Sequence, residues 1–406
     1  MLRFQSIFVV FVCGVFLHST AAAQNKSPTP SQLGRHLAAA EAIDNEILTL
    51  RAKRDAQAAR YATASSAFAG SPFVAGSTRT NTRGPSSSRE FEGEIGGPLW
   101  LPQQRQAFSQ TVDRAVEKLD RQIVLRRLSL AGEIREAWWQ VQRARSDVSI
   151  AQIRLKTAQE IRRETERRAE LGDVAERDAL LTQNEVLGAE VEVAQAEANL
   201  AAMRAAYRLL TNGGEAEGVL ELSSALPKLD QHPALRAGRA DIARALAEIE
   251  LVNKSRIDNP ELTLFGRNEA GDTGASATTV GMRLRVPLPT SGRNAPRLAE
   301  AQSELTRSEA EFAQKQRSLQ AGVSAAQAAL NAASKLEETA RRRLEVADLQ
   351  SSTAQRAYQL GEISLFDLYR IRQLQQEASR TAGMATIDRN LAQSRLRQAH
   401  GALPRL

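Results

Sequence analysis

Leu171-Gly172-Asp173-Val174-Ala175-Glu176-Arg177-Asp178 returns as Leu360-Gly361-Glu362-Ile363-Ser364-Leu365-Phe366-Asp367, with the Leu-Gly pair and the Asp each displaced by 189 residues. Pro98-Leu99 returns as Pro287-Leu288 at the same offset, so the chain is two copies of one unit. The first copy occupies residues 24–215 and the second 216–406, with a linker over 211–232.

Outward from the quoted turn, each copy orders as a helix, two strands and two very long helices. In the first copy a helix is expected from about Ser31 to Ala62, then strands near 72–82 and 90–98 separated by the hairpin punctuation Gly84-Pro85-Ser86-Ser87-Ser88. In the second, a helix runs from Pro233 to about Asn253, strands lie near 261–268 and 278–287, and Glu269 to Ala277 reads as a Gly-rich loop. The returning strands alternate alike. Phe91, Gly93, Ile95 and Gly97 oppose Glu92, Glu94 and Gly96, while Val280, Met282, Leu284 and Val286 oppose Gly281, Arg283 and Arg285. One apolar face fits lipid, and it fits equally an antiparallel sheet with one wet face.

After each strand pair the period changes to seven. Ile134, Ala137, Val141, Ala144, Val148, Ala151, Leu155 and Ala158 step by three and four, as do Leu187, Val191, Ala194, Ala198, Ala201 and Ala205 beyond the turn. Leu319, Val323, Ala326, Leu330 and Ala333 repeat the pattern in the second copy. A helix from about Gln103 to Glu170 would be on the order of 100 Å long at 1.5 Å per residue. A hairpin of that length leaves seam positions unmet and must pack on other hairpins. Aromatic residues make up only 4% of the chain, which suits long helices meeting through narrow seams rather than a thick core.

Two strands per copy give four per chain, too few to close a membrane barrel, whose smallest examples have about eight. Open sheet edges are not tolerated in lipid, so a barrel here requires at least two chains. The expected fold is therefore mainly α with a small membrane β-barrel: tandem coiled-coil hairpins plus four transmembrane strands per chain.

The N-terminus supports export. Arg3, the apolar run Phe8 to Leu17, and Ser19-Thr20-Ala21-Ala22-Ala23 follow the order of a secretory signal peptide over residues 1–23. The single cysteine, Cys13, lies inside it and follows Val10-Phe11-Val12, not the Leu-small-small stretch of a lipoprotein. The net charge of +7 is mixed along the chain, and stretches such as Arg162 to Arg168 read as solvated, salt-bridged helix faces rather than a nucleic-acid surface. His36, His232 and His400 lie far apart without ligand spacing and read as lone surface histidines. No phosphate loop, nucleophile elbow or metal motif is present, so no catalytic residue or cofactor is assigned and an enzyme is not expected.

The direct repeats, the turn Leu-Gly-x-x-x-x-x-Asp in both copies and the corner Val286-Pro287-Leu288-Pro289 resemble the TolC family of outer-membrane factors over nearly the whole mature chain. The resemblance implies a homotrimeric α/β barrel: twelve strands in the outer-membrane lipid and twelve helices forming a periplasmic tunnel. It also implies a passive exit duct of a tripartite efflux or type I secretion system, with energy from an inner-membrane pump. A periplasmic adaptor would dock at the turns, carried over as Leu171, Gly172 and Asp178 with Leu360, Gly361 and Asp367. Asp367 matches a position forming an acidic ring at the closed tip, but Arg370 stands where some members carry a second acid, which weakens a cation-selective gate.

The same turn residues have a purely structural reading. Gly172 and Gly361 can end helices in the left-handed conformation, while Asp173 with Glu176 and Ser364 with Asp367 have capping-box spacing. Arg135-Glu136-Ala137-Trp138-Trp139, Pro98-Leu99-Trp100-Leu101-Pro102 and Val286-Pro287-Leu288-Pro289 resemble the CzcC-like branch linked to heavy-metal efflux, although Trp138 and Trp139 read first as packing residues. The competing reading is a periplasmic adaptor or structural coiled-coil protein. An adaptor usually carries one hairpin inserted in a Gly-rich β domain, whereas this chain has two in tandem.

Overall fold

The computed structural model describes residues 31–81, 88–172, 175–221, 225–271 and 275–404. The expected signal peptide with Cys13, the turn residues Gly84 to Ser87, and Asp173 lie outside the described residues.

The helix expected from Ser31 to Ala62 is three helices: α1 (Gln32–Glu41), α2 (Asn45–Ala59) and α3 (Tyr61–Ser65). The first break has a local cause. Asp44 adopts extended backbone and its carboxylate accepts the Ile47 N–H at 2.8 Å, so a new helix begins there. The two strands of the first copy are β1 (Phe73–Thr80) and β2 (Ser88–Pro98), and the long helices are α4 (Gln104–Glu170) and α5 (Glu176–Leu210). A short 3-10 turn at Leu229–Gln231 leads to α6 (Pro233–Lys254), β3 (Glu261–Gly271), β4 (Ser276–Arg285), α7 (Ser291–Gln359) and α8 (Leu365–Ala399). The expected loop Glu269 to Ala277 is shorter than read, because the ladder continues through Glu269↔Ala277 and Ala270↔Ser276.

The strands form one antiparallel sheet in the order β1-β2-β3-β4, with β1 and β4 as edges. Register divides the sheet into two unlike faces. Val74, Phe91, Ile95, Leu264, Val280, Met282 and Leu284 share one face and are all exposed. Arg89, at the end remote from the helices, is the one charged residue on that face among the described strand residues. The opposite face carries Glu90, Glu92, Glu94, Glu261 and Glu269 with Arg79, Arg267, Arg283 and Arg285.

α4 pairs with α5 and α7 with α8, while α6 bridges α4 and α7. The main core sits halfway along α4, where Ile134, Trp138 and Val141 meet Leu33 and Leu37 of α1 and Tyr207 of α5. Trp138 is only 2% exposed, and its ring stands edge-on to Tyr207 with centroids 6.1 Å apart. Beside it, Arg135 makes paired hydrogen bonds to Glu221 at 3.0 and 2.9 Å and donates to the Ala402 carbonyl at 2.9 Å. One buried guanidinium thereby ties α4 to the inter-repeat linker and the C-terminal segment.

The α4 seam has Ile134, Val141, Ala144, Ala151 and Ala158 buried, with Ala137, Val148 and Leu155 half-buried. On α5 the buried side differs from the expected stripe. Thr182, Val186, Ala189, Leu200 and Tyr207 face the hairpin, whereas Leu187, Val191, Ala194, Ala198, Ala201 and Ala205 are exposed in the single chain.

The expected lone surface histidines are also placed otherwise. His232 is buried and caps α6, its Nδ1 accepting the Ala234 N–H at 3.1 Å, and burial lowers its pKa, helped by the nearby charge of His400. His36 is partly buried, 2.6 Å from the Tyr207 hydroxyl. Chain folding brings these rings inward because they lie where the short N-terminal helix, the linker and the C-terminus converge on the long hairpins.

Candidate functional site: the helical tip and the sheet

Both long hairpins turn at Leu-Gly. At the second turn the Gly361 N–H donates to the Tyr358 carbonyl at 3.1 Å and the Glu362 N–H to the Ala357 carbonyl at 2.9 Å, a Schellman arrangement. At the first, the Gly172 N–H reaches the Ala169 carbonyl at 3.0 Å. The glycines have φ of +79° and +78°, a region that a side chain resists. Leu171 and Leu360 project from these turns 73% and 74% exposed, with no core to fill.

The helices that follow start differently from each other. Ser364 caps α8, accepting the Asp367 N–H at 3.2 Å and donating to the Asp367 carboxylate at 2.6 Å. In the first copy the cap position is Ala175, which has no side-chain acceptor, and Asp173 of the expected Asp173–Glu176 box lies outside the described residues. Asp178 instead occupies the third helical position, corresponding to Asp367, with the Arg177 Nε 3.5 Å away. Asp367 and Arg370 are both exposed, and so is Phe366, at 69%.

The two turns lie at one end of the molecule. Ile161 of α4 packs with Ala354 and Tyr358 of α7 and Leu365 and Leu368 of α8, and the Arg168 guanidinium lies 4.6 Å from the Tyr358 ring centroid. A polar cluster just above was not read from the sequence. Arg154 reaches Glu185 at 2.7 Å and also pairs with Glu192, while Arg372 bonds Gln355. Burial lowers the Arg372 pKa and pushes Tyr369 up to about 12. Local spacing does not mark it, because Arg154 stands off the α4 stripe, one residue before Leu155.

Over residues 228–402 the sequence matches the family described as outer membrane efflux protein, and the 189-residue repeat extends the same unit to the first half. The second repeat is thus similar in sequence to the outer membrane efflux protein family. No curated protein matches its sequence significantly. Among solved structures, this chain resembles CusC at 16% identity with a TM-score of 0.72, 92% of each chain being covered. It also resembles the CmeC outer membrane channel of Campylobacter jejuni, at 15% identity and TM-score 0.71, over 92% of this chain and 86% of that one. The outer membrane protein VceC of Vibrio cholerae follows at 14% and 0.71, over 91% and 96%. At such identities the likeness concerns the fold: a four-stranded sheet carried on long helical hairpins. Efflux channels of this family are passive and not enzymes.

Proposed function

We propose that this chain is one subunit of a homotrimeric exit duct for efflux, its sheet in the outer membrane and its hairpins reaching into the periplasm. The observation that carries the reading is the sheet. It has an exposed apolar face, a charged face and two edges with no strand partner among the described residues. In lipid such edges each leave several kcal/mol of unpaired backbone groups, and closure by copies of the chain removes them. Three copies would place β4 of one beside β1 of the next in a barrel of about twelve strands.

The exposed α5 stripe fits the same assembly, since Leu187, Val191 and the alanines through Ala205 form an apolar seam left exposed by the described residues. The duct would export small molecules or metal ions driven by an inner-membrane pump, in a tripartite or type I secretion system. A periplasmic adaptor would dock on Leu171, Gly172, Asp178, Leu360, Gly361 and Asp367, with Asp367 and Arg370 at the gate. Exposed leucines on rigid glycine turns favour such docking. Metal cargo rests on the CzcC-like corner motifs alone. Among the described residues no group of three His, Cys, Asp or Glu side chains is arranged to hold a metal ion.

Outer-membrane fractionation followed by sedimentation in detergent tests the proposal. A trimer recovered from the outer membrane supports it, and a soluble periplasmic monomer refutes it.

A further inference from the structure

The charged face of the sheet is organised as a belt. Arg79 lies 3.5 Å from Glu90, Glu90 lies 2.6 Å from Arg267, and Arg267 lies 2.6 Å from Glu92. Arg283 continues the row, 3.5 Å from Glu92 and 3.3 Å from Glu94. The chain of contacts crosses all four strands and alternates in sign at every step. Arg285 and Glu261 form a further pair at 3.6 Å.

Two features tie the belt to a lumen. It lies on the face opposite the exposed apolar residues, and a membrane barrel turns its apolar face to lipid and its polar face inward. The interior side chains are also held against the wall. The Arg283 guanidinium sits 5.2 Å from the centroid of Phe265, whose ring lies over Gly281, a position where any Cβ would come within 2.5 Å of the ring.

An alternating row of charges has little field at a distance. Neighbouring strands are about 4.8 Å apart, so the sign reverses over a spacing shorter than the Debye length of about 8 Å. Twelve such strands tilted at about 40° put the barrel axis on the order of 12 Å from the backbone, beyond the reach of an alternating pattern. On this face of the described strands, five carboxylates and four guanidiniums leave one net negative charge per chain.

We infer that this belt cancels the charge of the barrel wall, so that the outer-membrane part of the duct passes solutes of either sign, with Glu92 and Glu94 holding the balance. This rests on the duct reading above. Both carboxylates serve Arg283, and removing them leaves that guanidinium facing the lumen without its ion-pair partners and the wall one charge positive per chain.

The test is the reversal potential of the purified full-length channel in a planar bilayer under a KCl gradient, read as the permeability ratio of K+ to Cl−. The E92Q/E94Q variant shifts the ratio toward Cl− by about three-fold or more, and R267Q/R283Q shifts it toward K+ by a similar factor. E94Q alone, which leaves Arg283 paired with Glu92, gives a smaller shift in the first direction and stands in where a double variant does not assemble. Variants that assemble as oligomers yet keep the wild-type ratio overturn the inference. A wild-type protein that forms no conductance overturns the duct reading itself, and the inference with it.

Discussion

Gly172 and Gly361, 189 residues apart, hold the same left-handed backbone at the ends of α4 and α7, and each is followed six positions on by an aspartate, Asp178 or Asp367. Open space surrounds both glycines, so the conformation and not crowding demands glycine. Replacing Gly361 with valine puts a β-branched residue into this region at a cost on the order of 1–2 kcal/mol. The expected result is a distorted second turn with the trimer intact, since the main core lies far up α4. Crosslinking to the adaptor and export should both fall. Unchanged crosslinking and unchanged export in G361V would remove the turn from the docking surface.

Trp138 is the largest side chain in the main core, enclosed by Leu33, Leu37, Ile134 and Tyr207. Truncation to alanine leaves a cavity that rigid helices cannot collapse into, at a cost of about 3–5 kcal/mol. W138F retains most of the apolar area and should lose markedly less. Thermal unfolding followed by circular dichroism separates the two. A W138A melt equal to wild type would mean that the core is not where stability resides.

Much of this architecture is readable because long helices and a repeat leave strong periodic signals. The α4 stripe from Ile134 to Ala158 meets its neighbours as its spacing indicates. The α5 stripe does not, because that helix is apolar or alanine-rich on more than one side. Spacing finds a stripe without saying whether it faces the same chain or another. The repeat itself carries the difference between the two helix starts, since the equivalent of Ser364 is Ala175. Asp44 was a readable helix start inside what looked like one helix. The polar cluster of Arg154, Glu185 and Arg372, and the burial of His232, arise from contacts between distant segments and leave no local pattern.

If the exposed α5 stripe joins neighbouring subunits, a charge there blocks assembly without unfolding the chain. Ala198 is exposed in the single chain and sits in the middle of that stripe. A198E places three carboxylates at three desolvated helix contacts, whereas A198S changes little. Sedimentation in detergent should show A198E as smaller species with wild-type helix content. A stable A198E trimer would place the subunit contact on another face.

Asp44 couples a helix cap to an ion pair, its carboxylate accepting the Ile47 N–H and lying 2.7 Å from the Arg126 guanidinium. The Arg126 hydrogen bond is the main cause of a pKa below the ordinary value of 3.8. A depressed carboxylate contributes stability above its unfolded pKa, and loses it as pH falls through the folded value. D44A should cost about 1 kcal/mol or more, from the cap alone, while D44N keeps the cap and loses the pair. The gap in melting temperature between wild type and D44N should close below about pH 4. A gap that persists in acid would show that the carboxylate's charge is not what Arg126 holds.

His232 gives the opposite end of the pH scale. Its ring nitrogen accepts the Ala234 N–H, so protonation removes the cap of α6, and burial together with His400 already disfavours the charged ring. With the folded pKa below the ordinary 6.5, the unfolded chain binds the proton first as pH falls. The contribution is therefore whole above 6.5 and declines as pH drops from there toward the folded value. Asparagine can accept the same N–H without titrating, so H232N should match wild type near pH 8 and exceed it near pH 5.5. The loss will not vanish entirely, because His36 is lowered in the same sense by burial and by Arg35. Melting curves of wild type, H232N and the H36N/H232N pair across that range decide the matter. Parallel pH profiles for wild type and H232N would mean that the buried ring keeps its proton equilibrium unchanged on folding.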